Sequence, residues 1–181
     1  MKKIGLIIVP VLFVVGGYFI YLSDESASHE SVPVITVMDI LHASDLAEGV
    51  KVAVKQGDSD AVSGWLMKAR EVAEVAGLSE NDMAYLASQK ARDYVIFNAK
   101  RRLFNEAFET RYLALEGIGD LKETYPEAVD LFPKAEALLA KRDTIISQIA
   151  LTLSNGQTPG SSDIAAAKLL WQQRYQVENK N

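Results

Sequence analysis

From Ser79 to Glu116 the chain has neither proline nor glycine, and its apolar residues recur every three or four positions. Met83, Leu86, Ala87, Ala91, Tyr94, Phe97, Phe104, Phe108, Tyr112 and Leu115 draw one stripe along what reads as a single amphipathic helix of roughly ten turns. Such a face has to be buried, so the remaining chain must supply helices that cover it. Ser79 followed three residues later by Asp82 has the form of a capping box. Gly117 and Gly119 stand where a left-handed residue ends a helix.

Covering helices are legible on both sides. Thr36 with Asp39 opens a first helix carrying Val37, Ile40, Leu41, Ala47, Val50 and Val54, which ends near Gly57. Asp58, Ser59 and Asp60 cap a second, with Val62, Trp65, Leu66, Ala69, Val72, Ala73 and Ala76 on one face and Gly77 as terminator. After the long central helix, Asp120 to Glu127 reads as a turn with Pro126. A fourth helix then runs to about Leu153 on the stripe Leu131, Phe132, Ala135, Leu138, Leu139, Ile145, Ile146, Ile149 and Leu153. Pro133 either starts or kinks it. Gln157 to Ser162 is a loop, and a last helix from Asp163 to about Val177 carries Ile164, Leu170, Trp171 and Tyr175 before a polar tail at 178–181.

No stretch alternates β-branched and polar residues, so the fold expected is all-α: a bundle of about five helices, arranged as hairpins, over 36–177. Tetratricopeptide spacing, aligned on Tyr125-Pro126-Glu127-Ala128 as a repeat end, finds its alanine at Ala114. Its Trp, Leu, Gly and Tyr positions fall on Asn98, Arg101, Arg102 and Asn105, so the pattern fails.

Ahead of the bundle, residues 1–3 carry two lysines and residues 4–22 form an uncharged, mostly apolar run of about nineteen residues, long enough to span a bilayer. A cleaved signal peptide is the competing reading, but Ser26-Ala27-Ser28 is a poor cleavage site with Asp24 and Glu25 just upstream. Tyr18, Phe19 and Tyr21 crowd the far end, where aromatic rings favour headgroups. The positive-inside rule keeps the N-terminus cytoplasmic and places the rest outside. Residues 23–35 read as a flexible spacer. Beyond residue 3 there are 17 basic and 24 acidic residues, a balance that argues against nucleic acid as a partner. Cysteine is absent, so disulfides and thiolate metal sites are excluded. With a Met-Lys-Lys start and no Asn-x-Ser/Thr sequon, the address expected is a bacterial inner membrane, single-pass, with the helical domain in the periplasm.

Two arginines break the apolar stripes. Arg101 sits among Phe97, Phe104 and Phe108, and Arg142 among Leu138, Leu139, Ile145 and Ile146. If the central and fourth helices fold back about Leu121, the two guanidiniums lie level. Like charges in a core need compensation, either by carboxylates such as Glu71, Glu74 or Asp143, or by an anionic ligand gripped through paired hydrogen bonds. His42 lies three residues from both Asp39 and Asp45, a spacing that more often means a solvated helix face than a metal site. Neither histidine accompanies a nucleophile motif, and the carboxylate pairs Glu71 with Glu74 and Glu106 with Glu109 sit at ordinary surface spacing. No metal, cofactor or catalytic residue is expected, and the chain does not read as an enzyme.

What remains is recognition. The central helix outreaches its shorter neighbours, so part of its aromatic stripe should be left uncovered. Phe104, Phe108, Tyr112, Trp171 and Tyr175 are the residues expected at a partner surface, in an assembly factor, adaptor or chaperone. The alternative is a periplasmic sensor that takes an anion at Arg101 and Arg142 and signals through a membrane partner.

Overall fold

In a computed structural model the described residues run from 35 to 178, with side chains described to Arg174. The proposed anchor at 4–22, the cytoplasmic residues 1–3, all but residue 35 of the spacer, and residues 179–181 lie outside them. Among the described residues there are eight α-helices, one 3-10 helix and no strand, so the all-α expectation holds. Among these residues no helix is long and apolar enough to cross a membrane.

The first expected helix is two: α1 at Val37–His42 and α2 at Ser44–Gln56, broken at Ala43, whose φ of −52° and ψ of 134° are not helical. Ala43 offers no capping side chain, which is why the break is silent in sequence. The expected stop holds: Gly57 is left-handed at φ 70°. Helix α3, Ser59–Val75, starts as read, with the Asp58 carboxylate accepting from the amides of Asp60 and Ala61. The indole of Trp65 in α3 abuts Gly49 in α2. A Cβ at Gly49 would sit 2.0 Å from the indole. Alanine there gains about 1 kcal/mol of helix propensity but must displace a rigid, half-buried ring, and overpacking costs about 1–3 kcal/mol. Gly49→Ala is expected to lose about 1 kcal/mol net in urea denaturation and to become stabilising when Trp65→Leu is introduced as well. A stabilising single substitution would contradict the close approach.

The long central helix is also two. The Ser79–Asp82 capping box is formed and opens α4, Glu80–Leu86. The chain then leaves helical geometry at Ser88, at φ −84° and ψ 158°. The Ser88 hydroxyl donates to the carbonyl of Tyr85 at 2.6 Å and accepts from the amide of Ala91 at 3.3 Å, closing one helix and capping α5, Gln89–Leu113. A serine inside an apolar stripe gives no hint of this. The expected stripe holds only in part at the start of α5, where Ala91 is buried and Tyr94 packs on the first core. Ala91, Val95, Ala99 and Leu103 are buried, while Phe97 is exposed. Small residues at i, i+4 spacing let α5 approach α2 closely, and an aromatic face could not.

Helix α5 ends at Leu113, before the expected Gly117. Leu115 is left-handed at φ 60°, with the amide of Glu116 bonded to the carbonyl of Arg111 at 2.9 Å, a Schellman closure with leucine in the glycine place. Leucine there costs about 1–2 kcal/mol of backbone strain, offset by its packing against the apolar cluster that holds Ile146 and Trp171. The expected turn at 120–127 contains α6, Gly119–Thr124, and a 3-10 helix, Pro126–Leu131, seated on buried Ile118, Leu121 and Ala128. Pro133 lies in the first turn of α7, Phe132–Leu153, so the helix starts there rather than kinking. Asn155 and Gly156 close α7 with left-handed residues, and α8 spans Ser161–Glu178.

Helix α5 threads three apolar cores. Val95 and Ala99 join the first, with α1 to α4; Phe104 joins the second, with Ile118, Leu121, Ala128 and Ala135; Tyr112 and Leu113 flank the third, with Ile146, Ala150, Ala167 and Trp171.

Candidate functional site

Because α6 and the 3-10 helix return the chain, α7 does not fold back on α5 as a hairpin partner. Their contacts advance in the same sense: the Phe104 and Phe132 rings lie 5.3 Å apart, and further along both helices Arg142 lies over Tyr112 at 5.5 Å. Arg101 and Arg142 therefore do not share a layer. Arg101 donates through both terminal nitrogens to Asp130, one bond at 3.0 Å, and to the carbonyl of Glu127 at 3.2 Å. Its hydrogen bonds hold the Asp130 carboxyl below the usual carboxylate range. Arg142 is 4 % exposed. Its Nε donates to Asp143 at 2.8 Å, and one terminal nitrogen spans the carbonyls of Tyr112 and Glu116 at 3.1 and 3.3 Å, on either side of left-handed Leu115. Asp143 is thus the neutralising carboxylate, while Glu71 and Glu74 are exposed on α3.

The aromatic residues divide as well. Phe104 is 1 % exposed and belongs to the core, and Phe108 is half-buried against it. Tyr112 and Trp171 meet edge to face at 5.3 Å, which seats α8 over the end of α5. The Gln172 amide adds a bond to the carbonyl of Leu113 at 2.9 Å. The side chain of Tyr175 lies outside those described.

Beside the Tyr112–Trp171 contact an open groove of about 800 Å³ runs between α7 and α8. Leu138, Lys141, Ile145 and Ile149 face it from α7 at three- and four-residue spacing, and Leu170, Trp171 and Arg174 from α8. Leu138 and Leu170 are exposed, Ile145 and Ile149 half-buried, and the two cations are exposed. The groove is therefore apolar with positive charge on both helices, in a chain of formal net charge −5. Tyr112 and Trp171 were legible in the sequence. Leu170 was read there only as part of the last helix's apolar stripe, and Lys141 and Arg174 look like ordinary surface positions; all three acquire meaning when α8 docks.

His42 faces Tyr94, with Nε2 2.5 Å from the phenol oxygen. Among the described residues no group of three or more His, Asp or Glu side chains is placed to hold a metal ion. A scan against protein-family models and searches of curated proteins and of solved structures return no match.

Proposed function

We propose that this protein is a non-enzymatic interaction protein, tethered to a bacterial inner membrane through residues 4–22, whose periplasmic helical domain receives a helix of a partner protein in the groove between α7 and α8. The observation that carries this reading is the groove itself: an apolar trough with Lys141 on one helix and Arg174 on the other. Its complement is an amphipathic helix with apolar residues on one face and carboxylates flanking them. Tethering would raise the concentration of the domain near membrane partners, in an assembly, adaptor or chaperone role. The anion-sensor alternative at Arg101 and Arg142 finds less support, since both guanidiniums direct hydrogen bonds to acceptors of the domain itself.

The test is a photocrosslinker at exposed Leu170 of the full chain in its native membrane, followed by mapping of the crosslinked peptide. The expected product is one partner whose mapped segment is helical, apolar on one face and acid-flanked. Lys141→Glu with Arg174→Glu should weaken that complex at least about tenfold, and reversing the partner's acidic residues should restore it. A crosslink indifferent to both charge reversals, or none at all, overturns the assignment. Protease access to the C-terminal domain in spheroplasts but not in intact cells checks the address.

A further inference from the structure

Arg70 and Arg92 were unremarked in the sequence because they lie on different helices, α3 and α5, each at an ordinary surface position. The fold brings both to one pocket of about 340 Å³, together with Ser63, Gln89, Met67 and Leu86. No carboxylate lines it. Arg92 is held in place by neutral oxygens alone: it donates to the Ser63 hydroxyl at 2.6 Å, and to the hydroxyl and carbonyl of Ser59 at 2.7 and 2.9 Å. Those bonds use three of the five guanidinium N–H groups, and no carboxylate pairs with the remaining two. Among the described residues Arg70 makes no ion pair or side-chain hydrogen bond, whereas Arg101, Arg111 and Arg142 all pair with carboxylates. Asp93 accepts from the Gln89 amide and Asp58 from the first amides of α3; both keep their charge, but neither lines this pocket. The amino end of α5 at Gln89 adds partial positive charge to the same wall.

We infer that this pocket binds a small organic anion, its carboxylate or phosphate group held between Arg70 and Arg92 and its apolar part resting on exposed Met67. One guanidinium is pre-organised by three bonds and the second is free to close on the ligand, so binding orders a single long side chain. The site lies among α3, α4 and α5 and is independent of the groove between α7 and α8.

Thermal unfolding of the full chain purified in detergent tests this, with sodium phosphate and sodium succinate each compared with sodium chloride at matched ionic strength. At ten times its dissociation constant the bound anion should raise Tm by about 4 °C over chloride, and the stronger of the two responses identifies the headgroup chemistry. Arg70→Gln should keep the unliganded Tm and lose the shift. Arg102→Gln, which removes an exposed cation elsewhere on α5, should retain it. Arg92→Gln also frees Ser59 and Ser63, so Arg70→Gln decides. No rise with either anion, or an equal rise in Arg70→Gln and the parent chain, overturns the inference.

Discussion

Phe104→Ala should cost about 4 kcal/mol of folding stability, seen as a lower urea midpoint at unchanged slope and a Tm about 10 °C lower. Phe104 is the largest of the fully buried side chains, with the rings of Phe108, Tyr125 and Phe132 within 6.5 Å. Alanine would leave a cavity walled by three rigid rings that cannot collapse into it. Phe97→Ala on the same helix should cost under about 1 kcal/mol, because that ring is 43 % exposed and meets chiefly the Arg101 guanidinium at 5.4 Å. The contrast tests the assignment of the aromatic stripe. Were Phe104→Ala to keep full stability and lose a bound partner instead, the residue would belong to a surface and the second core would be wrongly composed.

Arg142→Met should be the costliest change of a charged residue, at about 3 kcal/mol. Buried ion pairs can often be exchanged for apolar residues without loss, because both partners leave together. Here the acceptors include two backbone carbonyls, Tyr112 and Glu116, which no side-chain substitution can remove. Methionine preserves volume but leaves the Glu116 carbonyl without its Arg142 donor and the Tyr112 carbonyl with the Leu115 amide alone, beside a leucine already held in a left-handed conformation. Arg142→Lys should recover only part of the loss, since an ammonium cannot span the two carbonyls and Asp143 at once. Urea denaturation of the three proteins measures the differences, and a methionine variant within about 0.5 kcal/mol of the parent would refute the clamp.

The elements written plainly in the sequence were those fixed by neighbours a few residues away. The Asp58 cap, the Ser79–Asp82 box, the left-handed glycines 57 and 77 and the start of α7 at Pro133 each depend on local backbone chemistry. Breaks at Ala43 and Ser88 were hidden because alanine announces nothing and a serine within an apolar stripe looks incidental. The end of α5 was misplaced because Leu115 takes a conformation that leucine rarely adopts, stabilised by Arg142 from 27 positions downstream. Likewise the levelling of Arg101 with Arg142 assumed a simple turn, where α6 and the 3-10 helix instead carry the chain back. Of the candidate groove, the sequence marked Tyr112 and Trp171. The positions around them are set by how α7 and α8 pack, which periodicity does not encode.

The three cores threaded by α5 also bear on how the polypeptide acquires its structure. The first is complete in residues 37–99, while the third requires chain as far as Trp171. Most partners within each cluster come from neighbouring helices, a low-contact-order topology that favours rapid closure of short loops over slow long-range search. A growing or emerging chain can thus bury its amino-terminal helices before α7 and α8 exist, and α5 then offers a formed template on which the later cores condense. The last layer to form is the one that builds the groove.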